Sequence, residues 1–215
     1  MINKKEIYYN VISHISKYKN QVEFLKSGKL TICLIEYRIL LEIEYVLNAL
    51  LHVYNSNEIG LTIICGNNNI GYIQNKFKGW KNLNIINTGH DNLNRRTYSS
   101  LLKMPSFWEY FKAFSYVLIY QTDALIFRKI DDNYFKYDYI GARWNNIDNW
   151  LGNYKPKFNG GNGGFSLRHV KSMINVCEIH RNLKHEEING SNEDGFFCSS
   201  DILKFPDEIN THIKF

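Results

Sequence analysis

Ser115-Tyr116-Val117-Leu118-Ile119-Tyr120-Gln121-Thr122-Asp123-Ala124-Leu125-Ile126-Phe127 is a run of strand formers that meets a lone carboxylate and turns apolar again at once. A carboxylate in a buried strand needs a cation or a hydrogen-bond donor beside it. In an open α/β sheet the carboxyl end of such a strand opens into the crevice where ligands sit. Asp123 is therefore expected at the active site. A strand-terminal turn Asp that caps the next segment fits the same residues, and the stretch alone leaves both readings open.

Working outward, the same texture repeats on the amino-terminal side. Leu30–Glu36, Leu61–Cys65 and Leu83–Asn87 are short apolar runs with strand character. Leu40–Tyr54 carries Leu40, Leu41, Ile43, Val46, Leu47, Leu50 and Leu51 at helical spacing. A weaker helix is expected at about 70–77, and another over 97–113 that breaks or restarts at Pro105. Strands apolar on both faces, alternating with helices, predict an α/β fold with a mostly parallel central sheet flanked by helices. Residues 1–28 show helical spacing (Ile7, Val11, Ile12, Ile15) and end at Lys26-Ser27-Gly28-Lys29, an expected helical extension of one domain over 1–215. The first strand leads into Glu36-Tyr37-Arg38 rather than G-x-G-x-x-G, which disfavours a dinucleotide fold; no P-loop motif occurs either.

Beyond Asp123, Tyr137–Ala142 reads as a short aromatic strand, and 145–159 as a loop bearing Asn and Trp. Gly160-Gly161-Asn162-Gly163-Gly164 reads as a loop whose backbone lets a ligand approach closely, or as a plain surface loop. Val170–Val176 has helical character. Asn192-Glu193-Asp194 has the form of an N-cap followed by acidic first-turn residues.

The chain has 215 residues, enough for one domain with a full core. Aromatics make up 15%, which suits a thick core and a cleft that stacks on flat rings. The net charge of +5 favours an anionic small molecule or an acidic membrane surface. Without a basic run it does not point to nucleic acid. Cys33, Cys65, Cys177 and Cys198 form no C-x-x-C pair, so zinc and a disulfide framework are not expected. Free thiols and the lack of a signal peptide or membrane span imply a reducing, cytoplasmic setting. Asn189-Gly190-Ser191 matches a glycosylation acceptor by coincidence under this reading.

Taken in order, Leu101-Leu102, Phe107-Trp108, Tyr120-Gln121-Thr122-Asp123, Tyr137-Asp138-Tyr139-Ile140-Gly141-Ala142, Gly161-Asn162-Gly163-Gly164-Phe165-Ser166-Leu167-Arg168 and Asn192-Glu193-Asp194 resemble a known family. It is a family of domains of formally unknown function similar to GT-A type glycosyltransferases, and the resemblance covers roughly residues 30–205. It implies a GT-A-like fold and transfer of a sugar from a nucleotide-diphosphate donor to a glycan or other hydroxyl acceptor. Gln121-Thr122-Asp123 stands where such enzymes carry D-x-D, leaving Asp123 as the implied ligand of Mn²⁺ or Mg²⁺. Asn192-Glu193-Asp194 matches the x-E-D motif, which makes Asp194 the implied general base of an inverting reaction. Glu193 is implied to hold donor-sugar hydroxyls. A late metal-binding His is implied beyond Phe215, with His212 the one late candidate, so the chain is expected to be a piece of a longer protein or to complete its metal site differently.

The remaining expected substrate contacts are Glu36 and Arg38 at the first strand end, Arg96, Gln121 and Thr122, Trp144, and Asn162, Gly163 and Gly164. Trp144 and Trp150 suit sugar stacking, whereas Trp108 suits the core. His169, His180 and His185 are expected at the surface, because a spacing of five does not align 180 with 185 on a helix. Two other functions fit the same features. One is a sugar-phosphate nucleotidyltransferase, which usually needs a glycine-rich basic loop after the first strand. The other is a catalytically silent sugar-nucleotide or carbohydrate-binding module.

Overall fold

The computed structural model describes residues 22–142, 161–182 and 192–206. Eight strands run through them: β1 Val22–Glu23, β2 Gly28–Ile35, β3 Gly60–Cys65, β4 Trp80–Lys81, β5 Asn84–Asn87, β6 Phe114–Tyr120, β7 Tyr139–Ala142 and β8 Asn162–His169. The helices are α1 Glu42–Val53, α2 Ile70–Lys76, α3 Arg95–Leu102, α4 Pro105–Glu109, α5 Val170–Ile179 and α6 Glu193–Cys198. The expected helical extension over 1–28 lies almost wholly outside the described residues; within them, Val22–Glu23 is a short strand paired with Trp80–Lys81.

The main sheet has six strands in the order β5-β3-β2-β6-β8-β7. β5, β3, β2 and β6 are parallel, and β8 and β7 add antiparallel pairings at one side. The expected mixed α/β architecture, a mostly parallel sheet flanked by helices, is thus present.

Period-two alternation in the central strands decides which layer each residue joins. Ile32 and Leu34 of β2, with Leu118 and Tyr120 of β6, face α1, where Ile43, Val46, Leu47 and Leu50 are buried. Cys33 and Ile35, with Val117 and Ile119, face the opposite layer, built from Phe107, Trp108, Met173, Val176, Phe196 and Phe197. Burial on both faces explains why these strands read as continuous apolar runs. Pro105 opens α4 as its first residue, where its missing N–H costs no helical bond, so the expected helix over 97–113 is two helices. Trp108 is fully buried, and its Nε1–H donates to the Leu102 carbonyl at 2.7 Å. All four cysteines are free and buried.

Two expectations change. The glycine run was expected as a loop, yet Asn162–Gly164 already belong to β8, paired across Ala142 and Gln121. His169, expected at the surface, is half-buried. Its Nδ1 lies 2.8 Å from Ser172 Oγ and 3.3 Å from an Asp138 carboxylate oxygen, while Ser172 donates to that same oxygen at 2.5 Å. Both partners share one ring nitrogen, so this cluster ties β8 to α5 and does not form a proton relay. Among the described residues no helix is long and apolar enough to cross a membrane.

Candidate active site

From β2 the chain moves outward to β3 and β5, then returns to place β6 on the other side of β2. The strand order therefore reverses between β2 and β6, and ligands of open α/β sheets bind at the carboxyl ends of strands at such a point. A cleft of about 610 Å³ opens there, a size that suits a small-molecule ligand. Its walls include Glu36, Arg38, Arg95, Tyr98, Thr122 and Asp123.

Each strand end supplies one acid, in very different states. Glu36, at the end of β2, is buried. One of its oxygens accepts from the backbone N–H of Tyr37 and of Arg38, both at 3.0 Å, and from Arg38 Nε at 2.8 Å. The other accepts from Arg38 Nη2 at 2.8 Å and from the Thr122 hydroxyl at 3.3 Å. Burial works to raise the Glu36 carboxyl, but the Arg38 and Tyr37 hydrogen bonds outweigh it and hold the group below the usual range. Arg38 keeps a side chain 62% exposed, so the same guanidinium that pins Glu36 faces the cleft. The Glu36 hydrogen bonds, with the charges of Glu42 and Asp123 nearby, favour its charged form.

Asp123 corrects the first expectation. The strand ends at Tyr120, and Asp123 sits in a turn closed by Ala124 N–H to the Gln121 carbonyl at 3.2 Å. It is exposed rather than buried in the strand. The acid that is buried and satisfied by donors is Glu36.

The cleft's third wall follows β5. Asn94 caps α3 by accepting from Thr97 N–H at 3.0 Å, which fixes Arg95 as the first helical residue. Arg95 lines the cleft. Arg96, one residue on, is rotated about 100° around the helix and is not among the lining residues. The adjacent pair could not be resolved by sequence because only the cap position sets which arginine faces inward.

Asn69 was not singled out by sequence reasoning. Its fully buried side chain donates to the carbonyls of Glu36 at 2.8 Å and Arg38 at 3.1 Å, and accepts from Gly66 N–H at 3.0 Å. The Gly-Asn-Asn-Asn stretch signalled a turn, but not that one amide would span to the first strand's loop.

The antiparallel side joins this cleft through Gln121. Its backbone N–H donates to the Gly164 carbonyl at 3.1 Å, and its side-chain nitrogen donates to the Tyr98 hydroxyl at 3.3 Å. A Cβ on Gly164 would stand 2.4 Å from the Gln121 side-chain oxygen. At Gly163 a Cβ would stand 2.3 Å from a Glu193 carboxylate oxygen and 2.8 Å from Arg168 Nη2. The protein's own side chains thus take the close approach that these glycines allow. Asn162 accepts from Gly164 N–H at 3.0 Å.

Glu193 is buried: one oxygen accepts from Ser99 Oγ at 3.0 Å and the other lies 3.6 Å from Arg168 Nη2. Asp194, next to it at the start of α6, accepts from Gly195 N–H at 2.9 Å. Its carboxyl is pushed up to about 6, chiefly by burial and then by the Glu193 charge, against hydrogen bonds from Gly195 and Gly163 and the charge of Arg168. An acid with that midpoint is ionised at neutral pH yet basic enough to take a proton. Trp144 and Trp150, His185 and His212 lie outside the described residues.

A divalent cation finds one exposed carboxylate in the cleft, Asp123, since both oxygens of Glu36 are engaged by Arg38. Among the described residues no group of three or more His, Cys, Asp or Glu is placed to hold a metal. One carboxylate fits an ion such as Mg²⁺, which keeps waters and takes further oxygens from substrate phosphates.

The family model described as "Protein of unknown function (DUF5672)" matches residues 82–209. No curated protein matches the sequence. Among solved structures the chain is similar to S. aureus TarS 1-349, at 12% identity over 79% of this chain and 56% of that one, with a TM-score of 0.47. The same protein in complex with UDP is matched at 12% identity over 78% and 53%, with a TM-score of 0.44. The mannosyltransferase PcManGT from Pyrobaculum calidifontis, in complex with GDP-Man and Mn²⁺, is matched at 11% identity over 77% and 51%, with a TM-score of 0.41. The chain spans about half the length of these solved structures.

Proposed function

This chain belongs to the DUF5672 family, and from its site we propose that it transfers a sugar from a nucleotide-diphosphate donor to a hydroxyl acceptor, with inversion. One observation carries the reading. The cleft at the strand-order reversal joins two arginines, Arg38 and Arg95, to an exposed acid, Asp123, and the neighbouring antiparallel strand leads to a half-buried acid whose midpoint is about 6.

In this reading the donor's nucleoside lies over the end of β2, between Glu36–Arg38 and the Asn92–Arg95 segment. Arg38 and Arg95 meet the diphosphate with charge-assisted hydrogen bonds. Asp123 holds Mn²⁺ or Mg²⁺, which when bound with the donor supplies positive charge for the leaving diphosphate. Asp194 takes the proton from the acceptor hydroxyl as the acceptor oxygen bonds to the anomeric carbon. The bond from that carbon to the diphosphate breaks, and its electron pair leaves with the nucleoside diphosphate. Glu193, held by Ser99 and Arg168, supports Asp194 from behind. Asn162, Gly163 and Gly164 form the adjoining strand edge, and Trp144 a sugar platform. The acceptor is a glycan or glycoconjugate.

A thermal-shift series with nucleoside diphosphates and sugar nucleotides, with and without Mn²⁺, tests this. Stabilisation that needs metal and is lost in Asp123→Ala is expected. Indifference to every nucleotide would remove the transferase reading. A second reading, a silent nucleotide-binding module, is favoured by the single free carboxylate in the cleft. It predicts nucleotide binding without turnover of any donor.

A further inference from the structure

Arg168 is the one buried guanidinium among the described residues, and the site reading above gives it no task of its own. It lies on β8 beneath the base. Its Nε donates to Ser166 Oγ at 2.9 Å and its Nη2 to the Gly163 carbonyl at 3.4 Å. Its carbon centre lies 4.7 Å from the Tyr139 ring centroid, 5.4 Å from that of Phe197 and 5.5 Å from that of Trp108. Nη1 has no hydrogen-bond partner among the described residues. Three rings therefore hold the guanidinium where water does not reach, in a medium that makes its charge felt strongly.

Next to this cation stand two consecutive acids. Glu193 lies within ion-pair distance of it, across a backbone that only glycine at 163 leaves open. Asp194 feels both the attraction of Arg168 and the repulsion of Glu193. The other titratable groups facing Asp194 are Cys198 on its own helix and Tyr139 on β7, both driven toward their neutral forms chiefly by burial. Tyr98 and Lys103 face Glu193. One fixed cation thus stands beside a buried acid, Glu193, and a half-buried one, Asp194.

We propose that Arg168 is the positioning residue of the base: its charge, paired with Glu193 across Gly163, offsets the repulsion that Glu193 exerts on Asp194, so that Asp194 is a carboxylate when the acceptor arrives. This rests on the role of Asp194 proposed above. Without the cation, the Glu193 charge acts on Asp194 unopposed and favours its protonated form. That proton blocks the base. Without Glu193, the repulsion is gone and Asp194 ionises more readily.

The two changes therefore have opposite signs. Carboxyl ¹³C NMR of Asp194, titrated in the intact chain, reads them directly and needs no substrate. Arg168→Met should raise the Asp194 midpoint by about one to three pH units, Glu193→Gln should lower it, and the double variant should return it toward the wild-type position. Arg168→Lys, which keeps the charge, should stay closest to wild type. The acid limb of the kcat/KM profile should move with the NMR midpoint. An Asp194 midpoint unmoved in Glu193→Gln overturns the proposal, and that variant serves even where Arg168→Met does not fold. A midpoint that rises in both single variants overturns it too. Titrations that behave as expected in a protein that turns over no donor would remove the catalytic role together with the transferase reading and leave only the electrostatic coupling of Arg168, Glu193 and Asp194 standing.

Discussion

On the parallel side of the sheet, where β2 meets β6, the charged residues stand past the ends of strands and face the cleft. Arg38 is well exposed even while it pins Glu36, and Asp123 sits on an open turn. On the antiparallel side, between β8 and α6, the charges lie beneath the surface: Arg168 is sealed by three rings, and Glu193 is buried against it. The first arrangement offers charge to a ligand. The second uses charge to set the state of a neighbour, and it does so at a larger cost in desolvation. In the proposed site one side binds and the other tunes.

The largest effect that separates them is on folding. Arg168→Leu leaves Glu193 buried without its partner, and should cost about 3–5 kcal/mol in chemical denaturation. Arg38→Leu should cost less by the same measurement, because the backbone N–H groups of residues 37 and 38 and the Thr122 hydroxyl still satisfy Glu36. Equal losses would erase the contrast. Next comes catalysis: Asp194→Asn should cut transfer by about 10²–10⁴-fold while donor binding persists, and unchanged turnover would take Asp194 out of the mechanism.

The pH dependence of stability should differ in sign between the two acids. Asp194 has a raised midpoint in the fold, so its contribution is complete at low pH and is lost as pH rises through about 6. Asp194→Asn should therefore gain stability over wild type above that pH, by no more than about 3 kcal/mol. Glu36 is depressed, so its contribution is present at neutral pH and lost as pH falls through the acid range. Glu36→Gln should be the less stable protein at pH 7 and converge with wild type in acid. Melting curves from pH 3 to 8 check both, and parallel curves would mean the two acids are not so different. The smallest effect is at Asp123, where Ala should change stability by within about 0.5 kcal/mol; a larger loss would show that this turn carries fold as well as function.

The two sides also differ in how much of them could be read from sequence. The three central parallel strands announced themselves, because Leu30–Ile35, Leu61–Cys65 and Val117–Tyr120 are buried on both faces and so are nearly continuously apolar. A crevice was expected at the carboxyl end of the strand that runs toward Asp123, and the cleft lies there. On the antiparallel side the signals misled. Gly163 and Gly164 read as loop, because sequence cannot distinguish glycine needed for a turn from glycine needed to admit another side chain. Arg168 closed a recognised motif but received no role, since burial of an arginine depends on Trp108, Tyr139 and Phe197 meeting from three distant segments. Of the two readings left open for Asp123, the turn residue is the one present: it is exposed and lines the cleft, while Glu36 is the buried acid.

Asn69 ties the main chain just past β2 to the loop after β3. A single carboxamide that grips the main chain on either side of Tyr37 holds the segment that leaves β2 in place before any guest is present. Recognition then demands no rearrangement of the floor on which a nucleoside would rest, and the entropy of ordering that floor is charged to folding instead of to association. Selectivity in such a site comes from fit.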